Sequence, residues 1–207
     1  MPRTPRNSSN QPSPHDARVS QILRNAAVAV TLFDPVAAQA LLELSDAELG
    51  RRLKLALVRV AGLATVLNLD LSSIGDESAD RRMEPHSTRR KLTPEFLVAK
   101  AKVLRKSDFR AAIGSTDQRL REDVAARRIF SVDIDGEPYF PTFFLVEQIR
   151  RKDLAKVVRT LRDLDGWSKW TFFTTPNRAL SDLTPLQALL YGDRKQVLRA
   201  AAEFAEQ

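Results

Sequence analysis

The stretch that most restricts the fold runs from Phe109 to Phe140, where the hydrophobic period changes from that of a helix to that of a strand. Phe109 and Ile113 stand one helical turn apart, and Gly114 follows as a stop signal. Ser115-Thr116-Asp117-Gln118 has the form of a capping box opening a second helix, with Leu120 and Val124 on its buried side. Phe130, Val132 and Ile134 then alternate with polar residues, and Asp135-Gly136 is a two-residue turn of the type that needs positive φ. Glu137 to Phe140 returns as a second strand, and Pro138 predicts that this strand lies at an edge. Two short helices across a glycine turn, followed at once by a hairpin, have the layout of a winged helix-turn-helix.

The remaining segments are helical. Val19, Ile22, Leu23, Ala26 and Val30 recur at helical spacing, and Asp34-Pro35 caps and opens a short helix through Leu44. Ser45 to Glu48 forms a capping box ahead of a longer helix, with Leu49, Leu53, Leu57, Val60, Leu63, Ala64 and Leu67 on one face. Thr93-Pro94 opens another helix, with Leu97, Ala101 and Leu104 inward. Leu154, Val157, Val158, Leu161 and Leu164 form an apolar face ended by Asp165-Gly166, and Trp167, Trp170, Phe172 and Phe173 read as core anchors. Thr184-Pro185-Leu186-Gln187 combines a cap, a proline at the first helical position and a capping-box glutamine. Asp193 to Gln196 caps a last helix that packs Val197, Leu198, Ala201 and Phe204 inward.

With 43% hydrophobic residues the chain can bury a core, and 7 glycines in 207 residues argue against a glycine-rich barrel or propeller. The expected fold is mainly α. Its predicted parts are a disordered tail (1–15), a helical module (16–72), a basic linker (73–92), a helix-turn-helix-like module with a small β-hairpin wing (93–146) and a C-terminal helical module (147–207).

The formal charge of +7 is unevenly spread, because residues 81 to 106 carry nine Lys/Arg against two acids. Arg119, Arg121, Arg127 and Arg128 follow shortly after. Concentrated cations hold a phosphate backbone through counterion release. On the predicted second helix, Leu120 and Val124 face inward, so Gln118, Arg119, Glu122 and Ala126 face outward with Arg121 on the flank. Gln118, Arg119, Arg121, Arg127 and Arg128 are therefore the candidate DNA contacts. Glu122 repels phosphate and suits only a cytosine amine. The same motif serving protein contact alone is the competing reading.

Enzymatic chemistry lacks parts. The two histidines, His15 and His86, fall in the tail and the linker, and cysteine is absent. Neither a nucleotide-binding glycine loop nor a serine nucleophile elbow is present. Asp133 and Asp135 flank a turn and read as solvated acids. No catalysis, metal or cofactor is expected. The absence of cysteine suits a reducing cytosol, and the longest apolar stretch, Ala26 to Phe33, is far short of a membrane span. A cytoplasmic protein without membrane contact is expected.

From Trp170 onward, Pro176-Asn177, Ala179-Leu180, Thr184-Pro185-Leu186, Ala188-Leu189, Gly192-Asp193 and Val197-Leu198 follow one another within a short C-terminal stretch. This stretch resembles the toxin-binding domain of the Xre/MbcA/ParS antitoxin family. Asp182-Leu183 stands where that family usually has glycines. The resemblance implies an antitoxin whose helix-turn-helix binds the operon's own promoter DNA. It also implies a C-terminal module that covers a cognate RES-type toxin, an enzyme consuming NAD. Pro176, Asn177, Thr184, Gln187, Glu203 and Glu206 are the toxin contacts assigned on this basis, and a homo-oligomer is expected. The alternative is a stand-alone DNA-binding regulator whose C-terminal module dimerises or binds a non-toxin protein.

Overall fold

The structure, a computed structural model, describes residues 14–69 and 93–206. Residues 1–13 of the predicted tail and the whole basic linker, with His86 and the bases from Arg81 to Lys91, lie outside the described residues, as does the side chain of His15. Pro14 and His15, predicted as tail, begin the first helix. The fold is mainly helical with one small antiparallel sheet. The chain divides into two compact units, residues 1–53 and 54–207.

In the first unit, α1 (Pro14–Phe33) and α2 (Pro35–Leu42) form a helical pair. The Asp34 carboxylate accepts the Ala37 N–H at 2.9 Å, and Pro35 follows at the first helical position, as its sequence position requires. The box predicted at Ser45 is half made. Ser45 Oγ accepts the Glu48 N–H at 3.4 Å, but the Glu48 carboxylate turns to Arg51 and to Arg52 at 2.7 Å. No residue of α2 is buried, and Phe33, Val36 and Leu42 are 88%, 78% and 86% exposed.

Helix α3 (Asp46–Val66) begins in the first unit and ends in the second. Its buried residues are Val58, Gly62, Ala64, Thr65 and Val66, whereas the predicted inward residues Leu57 and Val60 are exposed. Of the predicted face, Ala64 is buried and Leu63 packs against the core, so periodicity selects the inward face at the end of the helix but not at Leu57 and Val60.

The second unit opens with α4 (Pro94–Ala99), capped by Thr93, whose Oγ accepts the Phe96 N–H at 3.3 Å. The predicted continuation of this helix through Leu104 does not form. Ala101 adopts a positive φ of 51°, and Val103–Arg105 is strand β1. Helix α5 (Lys106–Ile113), helix α6 (Asp117–Ala125), strand β2 (Val132–Ile134) and strand β3 (Glu137–Pro141) follow. The sheet order is β1-β3-β2, so β3 is central, not the edge strand Pro138 predicts. The register explains how proline is tolerated. Pro138 lies opposite Asp133 of β2, while β1 pairs only with Tyr139 to Pro141. Next to a two-residue turn, the second pair of an antiparallel ladder is not hydrogen-bonded. The N–H that Pro138 lacks would face the side where β1 has already ended.

Tyr139 to Val146 is buried throughout, including the 3₁₀ turn Thr142–Leu145. Phe143 is fully buried among Phe144 (ring centroids 4.7 Å), Phe173 (5.3 Å), Trp170 (5.9 Å) and Phe130 (6.1 Å). These rings join the hairpin to α7 (Arg151–Thr160), α8 (Gly166–Thr174), α9 (Pro185–Leu190) and α10 (Arg194–Ala205) in one core. The predicted boundary between residues 146 and 147 is therefore not a break in the packing. Asp165-Gly166 also does more than end a helix: the Asp165 carboxylate accepts the Ser168 N–H at 2.6 Å and caps α8. Those bonds hold its carboxyl below the usual carboxylate range. Asp193 precedes α10 without the predicted side-chain cap. The N-terminal ends of α7 and α10 meet at Asp153, a buried carboxylate 2.8 Å from Arg150 Nε and 3.4 Å from Arg194 Nη1.

Candidate functional site

Helices α5 and α6 are joined by a short turn with a clear local cause. Gly114 adopts φ 61°, its N–H donates to Ala111 O, and the Ser115 N–H donates to Arg110 O at 3.1 Å. These bonds close α5 and leave Ser115 as part of its ending. The cap of α6 consequently falls one residue later than predicted, on Thr116, whose Oγ accepts the Arg119 N–H at 3.2 Å. Leu120 is buried beneath α6, while Val124, predicted beside it, is 37% exposed. The helix pair sits between β1 and the β2–β3 hairpin in chain order, which is a winged-helix arrangement. Asp135 and Gly136 make the tight turn at φ 55° and 80°.

All five residues assigned to DNA are exposed on or just after α6. Their present partners differ. Gln118 Nε2 donates to Glu122 Oε1 at 3.1 Å, so the outward acid engages the amide beside it. Arg121 Nε donates to the Asp117 carbonyl at 3.3 Å, and Arg128 pairs with Asp123 at 2.8 Å. Arg127 follows the helix at φ 53° and approaches Lys169, whose ammonium pKa is lowered chiefly by burial and then by the Arg127 charge. Arg119 forms no ion pair among the described residues.

Beside α6 lies a cation set that the sequence reading missed. Helix α7 buries Leu154, Ala155, Val157 and Val158, and it exposes Arg151, Lys152, Lys156 and Arg159. The signal is present in the run Arg150-Arg151-Lys152 and the later bases at helical spacing, on the face opposite the apolar stripe of the same helix. Arg151, Lys152 and Arg159 line a cleft of about 350 Å³ together with Arg119 and Arg128. The basic surface thus extends from α6 onto α7.

The residues assigned to the toxin separate into two groups. Thr184 and Gln187 serve the fold. Thr184 is 1% exposed, its Oγ accepts the Gln187 N–H at 3.1 Å, and Gln187 Oε1 accepts the Thr184 N–H at 2.9 Å. Gln187 Nε2 donates in addition to Leu67 O at 3.1 Å. The box predicted for α9 is complete, which leaves the Thr184 hydroxyl unable to reach a partner surface. Pro176, Glu203 and Glu206 are exposed, and Asn177 is half-buried.

Asn177 organises a compact loop. Its Oδ1 accepts the Ala179 N–H at 2.8 Å, its N–H donates to Leu183 O at 3.0 Å, and its carbonyl accepts from Asp182 N–H at 3.1 Å. Ser181 and Asp182 adopt φ 56° and 60°, a conformation that glycine adopts without steric cost. The left-handed pair thus lies one residue earlier than the Asp182-Leu183 position where the resembled family carries glycines. Leu180, 3% exposed, pins the loop to the core.

Among the described residues no cluster of three or more His, Asp or Glu side chains could hold a metal ion, and no helix is long and apolar enough to cross a membrane. No protein-family model, no curated protein and no solved structure matches the chain.

Proposed function

We propose that this chain is the antitoxin of a type II toxin–antitoxin pair, occluding a RES-type toxin and repressing its own operon through DNA binding. The observation that carries the DNA half is the exposed cationic surface of α6 within a winged-helix arrangement, continued by the bases of α7. Such a surface supplies phosphate contacts, while Gln118 and Arg121 supply donors for base edges. The toxin half rests on the C-terminal resemblance and on the Asn177 loop, which presents Pro176 and backbone held at positive φ by Ser181 and Asp182. Strained loop backbone held by a rigid core is a common setting for a binding contact. Occlusion would be steric, and Glu203 and Glu206 add charge at the far end of α10. The exposed apolar side chains of α1 and α2 support a second copy as partner, because helices with so little buried surface gain stability from association.

The DNA half is tested by gel shift on the chain's own upstream fragment. Arg119→Ala with Arg121→Ala should weaken binding about tenfold or more, and wild-type affinity should fall steeply with salt. A wild-type protein that shifts no fragment at low salt would remove this half. The toxin half is tested by co-expressing the full-length chain with the neighbouring gene product. Wild type should restore growth and co-purify with the toxin. Asn177→Ala should weaken suppression, and a lysate with no co-purifying toxin would leave the stand-alone regulator. That second reading gains support from Thr184 and Gln187, whose capping bonds occupy them inside the fold.

A further inference from the structure

The cleft between α5, α6 and α7 combines two features that contact with duplex DNA does not need together. Its floor is apolar, made by Phe109, Ile113, Ile129, Phe144 and Ala155. Its rim is cationic, with Arg119, Arg128, Arg151, Lys152 and Arg159 against the single acid Asp123. Asp123 is spent on Arg128 at 2.8 Å. Arg119, Arg151, Lys152 and Arg159 therefore face one concavity with no ion pair among the described residues. Like charges around a partly desolvated space repel one another, and an anion placed between them relieves that repulsion.

The chemistry of the rim narrows the ligand. Three guanidinium groups offer planar forks that match carboxylate, phosphate or sulfonate oxygens. The floor narrows it further. A B-form duplex keeps its bases stacked inside and presents backbone charge but no free apolar body to fill a recess, so the rings of Phe109 and Phe144 would contribute nothing to it. A cleft of about 350 Å³ falls within the size range of small-molecule sites.

We propose that this cleft binds a small organic anion, a compact apolar or aromatic body carrying a carboxylate, phosphate or sulfonate group. The body rests on Phe109, Ile113, Ile129 and Phe144, and the anionic group meets Arg119, Arg151 and Arg159. The site does not depend on DNA binding. If DNA binding holds, an occupied cleft withdraws Arg119 from phosphate contact, so ligand and promoter compete.

The test uses the full chain and 1-anilinonaphthalene-8-sulfonate, an aromatic sulfonate whose fluorescence rises in apolar surroundings. Because this dye also reports exposed apolar surface elsewhere, the comparison that decides is between variants. Wild type should show a saturable component that Arg151→Gln with Arg159→Gln weakens about tenfold, with the melting temperature checked in parallel. Both side chains are exposed, and Arg119→Gln provides an independent variant should the double substitution perturb folding. The uncharged analogue N-phenyl-1-naphthylamine should lack that component, and inorganic phosphate alone should displace the dye only weakly. Equal dye binding by wild type and both variants overturns the proposal, and so does equal binding of the uncharged analogue. A wild-type protein that shows the dye component but shifts no promoter fragment at low salt would sink the DNA reading alone.

Discussion

Phe143→Ala is expected to destabilise residues 54–207 by about 3–5 kcal/mol, the usual cost of truncating a fully buried aromatic ring. Phe143 has no exposed surface and touches Phe130, Phe144, Trp170 and Phe173. Ring pairs of this kind add about 0.5–1.5 kcal/mol beyond the area they bury. Domains are held by only about 5–15 kcal/mol in total, so a single substitution would remove a large share of the margin. Urea titration followed by tryptophan fluorescence reads the effect directly, because Trp170 lies against the same ring. A midpoint that moves by less than one part in ten would show that the hairpin and the C-terminal helices do not share a core. The same packing means that toxin suppression must be tested with the whole chain, since a chain ending at Arg150 loses Phe173 and Trp170 from this cluster.

Gly166→Ala should also be strongly destabilising, against what helix propensity predicts. Gly166 is the first residue of α8, where alanine would ordinarily gain up to about 1 kcal/mol over glycine. Here a Cβ would lie 2.1 Å from the Ser131 carbonyl oxygen and 3.1 Å from Val132 Cα. Both obstacles are backbone, so no side chain can swing aside, and α8 must retreat from β2. Overpacking of this kind costs about 1–3 kcal/mol and more where backbone must move. Retreat would also break the bond from Trp167 Nε1 to the Asp133 carbonyl, now 3.0 Å. Thermal unfolding decides the sign: a raised melting temperature would mean that α8 and β2 do not approach as described.

Much of the local structure is legible from the sequence because short-range chemistry decides it. Asp34, Thr93 and Thr184 cap the helices they precede, Gly114 ends α5, and Asp135-Gly136 turns the hairpin. Each of these depends on one side chain and the backbone within a few residues. The outward placement of Gln118, Arg119 and Arg121 follows in the same way from the position of Leu120 on the helix. The cationic cleft was not legible, because Arg119 and Arg159 are brought together by packing and not by spacing.

What only the tertiary structure decided involves partners distant in the chain. Val103–Arg105 becomes a strand because Tyr139 to Pro141 offers it a ladder, and β3 becomes central for the same reason. Gln187, whose capping role is local, is also anchored by its Nε2 bond to the Leu67 carbonyl far back in the chain, although its residue type suits a contact surface equally well. Capping and turn chemistry are settled within a few residues, whereas strand pairing, helix-face selection and the sharing of one aromatic core depend on which surfaces the folded chain brings together.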